Sequence, residues 1–315
     1  MARYSHNYNY SRSFLPTTTV DRSDRTRRRP ATRFEKVTPA TQSGLRLILI
    51  GFAFLSFSVY AGWNKHISAQ TAAANQAHHT QLLAATAKSA IFKTQIAQLQ
   101  AANPLVDVSV AVASDTLGVE RLGDPSAYSA ASVGKLITAA SYLHLVDSKK
   151  ANLSQRIDGQ TTRYWLNLML VKSDDVAWQN LNRFVTHDGL TNYATSIGLT
   201  QYDADTDNFP AVDAAIILQK LQNGTLLSDS NQQLMLSWLA KANYRSYIVP
   251  AVSTGSTVYH KVGFDGDNLH DAAIIKRGDR SLVLVIFTNG HGNYNWDART
   301  RLIQTITRDA QAAYL

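Results

Sequence analysis

From residue 105 onward the chain switches between two hydrophobic periods. Leu105–Ala113 (LVDVSVAVA) has apolar residues at alternate positions and is rich in β-branched side chains, which predicts a strand. A turn at Ser114–Gly118 leads to a shorter strand at Val119–Leu122. A helical period then takes over. The apolar run that opens at Ser132 predicts a helix to about Val146, and a polar break at Ser148–Asn152 ends it. Further helices are predicted over Thr161–Val171, Asp175–Val185 and Gly189–Ser196, and Gly198–Ala211 (GLTQYDADTDNFPA) predicts a polar loop rich in Asp. Ala211–Gln222 predicts a helix stopped by Asn223-Gly224, and Ser228–Lys241 another with Ser228 as its N-cap. The period of two returns at Ser256–Gly263, Asp271–Lys276 and Ser281–Thr288. The last two strands are joined by the hairpin turn Arg277-Gly278-Asp279-Arg280, and Asn293–Leu315 predicts a closing helix. Two strands, a block of helices, three strands and a helix predict an α+β domain: an antiparallel sheet with a helical lobe inserted in it.

The first hundred residues follow other patterns. Leu47–Trp63 (LILIGFAFLSFSVYAGW) is 17 residues without a charge, flanked by Arg46 and Lys65, with Tyr60 and Trp63 placed like interfacial anchors. It predicts a single membrane span over residues 47–63. A cleaved leader, with Ala72–Ala74 as its cleavage region, is the alternative. Asn64–Gln100 is Ala/Gln-rich and predicts helix. Its apolar positions, Leu82, Leu83, Ile91, Ile96 and Leu99, are too irregular for a coiled coil, so residues 64–104 read as a solvated stalk ended by Asn103-Pro104. Residues 1–46 are polar and Arg-rich and read as a disordered tail.

Charge sharpens this division. The tail holds ten of the 31 Lys+Arg against three of the 23 Asp+Glu, leaving the other 269 residues with 21 basic and 20 acidic groups. The net charge of +8 therefore belongs mostly to one end, and no nucleic-acid partner is expected of the folded part. By the positive-inside rule the basic tail is cytoplasmic and everything after residue 63 is outside the cell membrane. The chain has no cysteine, which excludes disulfides, thiolate metal sites and cysteine nucleophiles. No metal or cofactor is implied.

Three short stretches carry the candidate chemistry: Ser132-Val-Gly-Lys135, Ser173-Asp174-Asp175 and Lys261-Val262-Gly263. Ser132 and Lys135 share a helix face, so an amine can take the proton that makes the serine a nucleophile. Their order and setting resemble the serine–lysine, serine–aspartate–asparagine and lysine–threonine–glycine set of the penicillin-binding proteins and serine β-lactamases. The resemblance to class A β-lactamase-like serine hydrolases extends over 105–315. It includes Leu226–Leu239, Ile248-Val-Pro250 and Asp271–Ile275.

The resemblance implies a five-stranded antiparallel sheet flanked by helices and an all-helical lobe, with the site between them. It implies Ser132 as the acylated nucleophile, Lys135 as its proton acceptor, Ser173 as a proton relay and Lys261 as the cation of the cleft. The oxyanion hole would be the N–H groups of Ser132 and of Phe264, which follows Gly263. Three departures stand out. Asp175 replaces an asparagine, and an ionised carboxylate cannot donate to a substrate carbonyl. Val262 removes a hydroxyl that would bind a substrate carboxylate. His270 is a candidate to replace that hydroxyl, the alternative being a surface histidine at a strand end. The third departure is a missing base. The only glutamates are Glu35 and Glu120, and the loop where a deacylating glutamate is expected holds Asp203, Asp205 and Asp207 instead. The expected function is a membrane-anchored acyl-serine hydrolase acting on peptidoglycan stem peptides that end in a carboxylate. A true β-lactamase and a non-catalytic wall- or partner-binding domain are the alternatives; the substrate is a peptide or a β-lactam.

Overall fold

The computed structural model describes residues 39–292 and 294–315; the side chains of 39–46 and 48–51 lie outside that description. The predicted tail over 1–46 therefore lies outside the described residues as far as 38, and its last part, from Pro39, is helical. The first helix, α1, runs Pro39–Ala102. Helical residues up to Ala69 belong to one unit of the chain, and Gln70–Leu315 form the second. In the first unit Phe52, Phe54, Leu55, Phe57 and Trp63 are exposed. The run 47–63 is helical, the side chains of 48–51 within it lying outside the description, and among the described residues no helix is long and apolar enough to cross a membrane.

In the second unit, after the end of α1, come β1 (Asp107–Ser114), β2 (Gly118–Gly123) and the two-residue β3 (Tyr128–Ser129). A 3-10 turn at Ala131–Val133 leads into α2 (Lys135–Asp147). The helical lobe follows, with a small hairpin of β4 (Arg156–Ile157) and β5 (Gln160–Thr161), then α3 (Thr162–Asn167), α4 (Asp175–Val185) and α5 (His187–Ser196). β6 (Asn208–Phe209) pairs with β3 and precedes α6 (Ala211–Gln222) and α7 (Asp229–Leu239). The chain closes with β7 (Thr257–Asp265), β8 (Asn268–Arg277), β9 (Arg280–Asn289) and α8 (Trp296–Tyr314). The main sheet has five strands in the order β2-β1-β9-β8-β7, and every adjacent pair is antiparallel.

The sheet is a middle layer. One face, with Ala111, Ile274, Val285 and Phe287, packs into the core shared with α2 and α6. The other, with Val110, Ala273, Ile275 and Ile286, packs against α8 and the end of α1. Both faces are covered, so β8 and β9 are buried almost throughout and their sequences read as nearly continuous apolar runs.

Three expectations need correction. The stalk is not solvated at its C-terminal end. Phe92 and Ile96 are fully buried, Leu99 packs beside them, and Ser89 donates to Glu120 of β2. The domain thus begins before residue 105, because positions 92, 96 and 99 form one helix stripe while Ile91 stays 61% exposed. The predicted helix Thr161–Val171 is two elements: α3 gives way to a π-turn at Leu168–Lys172, which ends with Ser173 in a left-handed conformation (φ 61°). Finally, β7 extends two residues past Gly263, and a tight turn at Gly266-Asp267 starts β8 at Asn268 rather than Asp271.

Candidate active site

The site forms where the turn before α2, the π-turn before α4 and the edge strand β7 meet. Ser132 sits in the 3-10 turn, and the residue before it, Ala131, is held at φ 47°, a conformation that L side chains rarely adopt. The turn is pinned from outside: the Ala130 N–H donates to the Asp207 carbonyl at 2.9 Å. Strand β7 passes close by at Gly263. A Cβ there would lie 2.7 Å from the Ala130 carbonyl oxygen and 3.0 Å from Val133 Cγ2, so glycine is what permits the approach.

Lys135, the first residue of α2, is buried, and its Nζ donates to Ser132 Oγ at 2.6 Å. The same Nζ donates to Asp175 Oδ1 at 2.6 Å, and the Trp178 ring lies 5.8 Å from it. Asp175 opens α4, where a carboxylate suits the helix N-terminus, and its side chain is 76% exposed. Asp174 serves the helix instead of the cleft, capping α4 by accepting the Ala177 N–H at 2.8 Å.

The second lysine completes the arrangement. Lys261 projects from β7, is 2% exposed, and donates to Ser173 Oγ and to the Val262 carbonyl, both at 2.8 Å. Burial, reinforced by the charge of Lys135, lowers its pKa to about 7. Ser132, Ser173 and Asp175 line a cleft of about 520 Å³. Its remaining wall is apolar and aromatic: Val262, Phe264, Tyr244, Tyr247 and Trp296. Phe264 and Trp296 pack edge to face, with ring centroids 4.7 Å apart.

His270 is not in the cleft. It is fully buried on β8, stacked on Phe287 with ring centroids 4.1 Å apart. The Thr288 N–H donates to Nδ1 at 3.1 Å, which leaves Nε2 to donate to the Ser129 carbonyl at 2.9 Å. Burial lowers its pKa to about 4, so the ring is neutral. Both expectations for it are overturned. It neither binds a substrate carboxylate nor lies at the surface; it ties β8 to β3, three residues before Ser132.

The three loop aspartates separate cleanly. Asp203 accepts from Thr206 Oγ1 and the Asp205 N–H within its own loop, and Asp205 pairs with His187. Asp207 turns inward at φ 52°. Its carboxylate sits against Gly134, where any Cβ would collide with both oxygens. Burial raises its pKa to about 7, partly offset by the charge of Lys135.

A model of the beta-lactamase enzyme family matches residues 91–314. The chain belongs to that family. It is a serine hydrolase of the beta-lactamase and penicillin-binding kind. No curated protein matches it in sequence. Among solved structures, PBP-A is similar at 19% identity and a TM-score of 0.66, over 70% of this chain and 95% of that one. A variant of the last common ancestor of Gram-negative class A beta-lactamases is similar at 22% identity and 0.63, over 71% and 98%. A mutant of PBP-A, solved as an acyl-enzyme complex with penicillin G, gives 19% and 0.65, over 71% and 96%. At these identities the likeness is one of fold. The match begins at residue 91, consistent with the burial of Phe92.

Sequence reasoning missed part of this family member's cleft. Tyr244, Tyr247 and Trp296 come from irregular segments or a helix start, where no period signals a buried or lining side chain. Asp207 was one of three like residues, and only its contact with Gly134 distinguishes it.

Proposed function

We propose that the chain is a membrane-anchored, extracytoplasmic acyl-serine hydrolase with D,D-peptidase-like chemistry on peptidoglycan stem peptides. The observation that carries this reading is the meeting of two serine–lysine pairs, Ser132–Lys135 and Ser173–Lys261, at one cleft. Ser132 Oγ attacks the acyl carbonyl while Lys135 takes its proton, and the ammonium so formed stays bonded to Asp175. The N–H groups of Ser132 and Phe264 receive the oxyanion. Lys261, near neutrality in its pKa, supplies a proton through Ser173 to the leaving group. Asp207 activates the water that releases the acyl group. A carboxyl that titrates at about 7 suits that role near neutral pH.

Stem peptides are favoured over antibiotics because the loop where a deacylating glutamate is expected holds the shorter Asp207 instead, and Glu120 is bonded to Ser89 and Tyr314. The penicillin G acyl-enzyme of the PBP-A mutant supports a β-lactam as a mimic able to acylate Ser132 here. The test is thiol release from an N-acyl-D-alanyl thioester by the full chain. Release that is lost in Ser132→Ala is expected; equal release by the variant, or none from the wild type, overturns the reading. The anchor is supported by the uncharged run 47–63 behind a basic tail and by its exposed aromatic side chains. Retention of the chain in carbonate-washed membranes checks it, and release into the wash refutes it.

A β-lactamase is the second reading: it asks the same inward-facing Asp207 to release a penicilloyl group as fast as a glutamate would. Steady penicillin G turnover that is lost in Asp207→Asn supports it. A burst that stops at one equivalent counts against it.

A further inference from the structure

Resting on that acyl-serine reading, we propose that the cleft takes a scissile bond whose leaving side is uncharged or cationic, such as the internal amide of a cross-linked peptide, rather than a residue ending in a free carboxylate. No cation lines the cleft wall among the described residues. Among the described residues, Asp175 is the one acidic or basic side chain that lines the cleft, and it is largely exposed there. Lys261 is buried and already bonded to Ser173 and the Val262 carbonyl. Lys135 is buried and bonded to Ser132 and Asp175. Val262 presents methyl groups where a hydroxyl would be needed. His270 is fully buried with both ring nitrogens engaged. Arg299 stacks under Trp296 at 5.1 Å and turns Nε and Nη2 onto Thr288; at 1% exposure its remaining nitrogen, Nη1, is buried away from the cleft. Among the residues that line the cleft, a substrate carboxylate therefore meets no cation and faces the like charge of Asp175.

The aromatic wall fits the same reading. Phe264, Trp296, Tyr244 and Tyr247 offer apolar surface to a leaving side that continues beyond one residue. In the step itself, a bond forms between Ser132 Oγ and the acyl carbon, and the C–N bond breaks. The departing amine takes one proton, and water later hydrolyses the ester, returning Ser132 and a carboxylic acid.

The test uses three thioesters with the same N-acyl-D-alanyl part and leaving thiols of different charge: thioglycolate, thioglycolamide and 2-aminoethanethiol. Full-length chain is assayed for thiol release. The expected result is kcat/KM for the thioglycolate ester at least about tenfold below the other two. Asp175→Asn narrows the gap between the anionic and cationic esters, and Val262→Thr raises the anionic ester relative to the other two. A thioglycolate ester cleaved as fast as the neutral one, or faster, overturns this inference and leaves the acyl-serine reading standing. Release from none of the three overturns both.

Discussion

Replacing Asp207 by asparagine should stabilise the protein at alkaline pH while stalling its chemistry. Asparagine keeps the size of the side chain and tolerates φ 52° at least as well as aspartate, so the backbone at the site is retained. What changes is the proton. Asp207 titrates at about 7 in the fold against an ordinary 3.8, chiefly because burial disfavours its charge. Between those two values the folded chain holds more protons than the unfolded one. Stability therefore falls as pH rises through the window and levels off above about 7. At about 1.4 kcal/mol per tenfold in proton affinity, the charge costs about 2 kcal/mol at pH 5 and about 4 kcal/mol at pH 8. The asparagine variant has no such dependence. Urea unfolding followed by tryptophan fluorescence at pH 5 and pH 8 should show the gain of Asp207→Asn over wild type growing by about 2–3 kcal/mol between them. Lys261 also titrates at about 7, but it does so in both proteins and cancels from the difference. The same gain at both pH values, or a loss at pH 8, refutes the reasoning. In the same preparation, an acyl group placed on Ser132 should persist in the variant, as read by intact mass.

Other substitutions test the frame around the site. Gly263→Ala puts a methyl 2.7 Å from the Ala130 carbonyl, so overpacking should cost about 1–3 kcal/mol and slow acylation of Ser132, read by denaturant unfolding and thiol release. His270→Phe keeps the ring but strands the Thr288 N–H and the Ser129 carbonyl; a loss of about 1–3 kcal/mol for each group is expected, and unchanged unfolding would refute the assigned bonds. Phe92→Ala should cost about 3–5 kcal/mol by urea unfolding, whereas a solvated stalk would lose almost nothing. Lys261, lowered to about 7, should make acylation change between about pH 6 and 8, and that limb should disappear in Lys261→Ala.

The sequence carried the strand and helix order well because each period there spans several residues. The hairpin at Arg277–Arg280 was legible for a local reason: Gly278 supplies the positive φ of a two-residue turn. The Ser132–Lys135 pair was legible because three residues of backbone decide it. Other features depend on what lies on the far side of an element. His270 sits in a strand buried on both faces, so alternation gave no sign of which way it points. Phe92 and Ile91 are neighbours with similar hydropathy, and only the packing of α8 and β2 selects one of them. The π-turn before Ser173 leaves no pattern of its own in an apolar run.

The contact between Gly134 and Asp207 ties two distant positions into one choice. The space that a side chain would fill inside Ser132-Val-Gly-Lys135 is filled from 73 residues away by a carboxylate. Descendants or designs that gain a side chain at 134 must shrink or move residue 207, and those that lose the aspartate are free to fill 134. Across relatives the two positions should covary, so the residue at 134 can be read as a marker of whether the loop still delivers its acid.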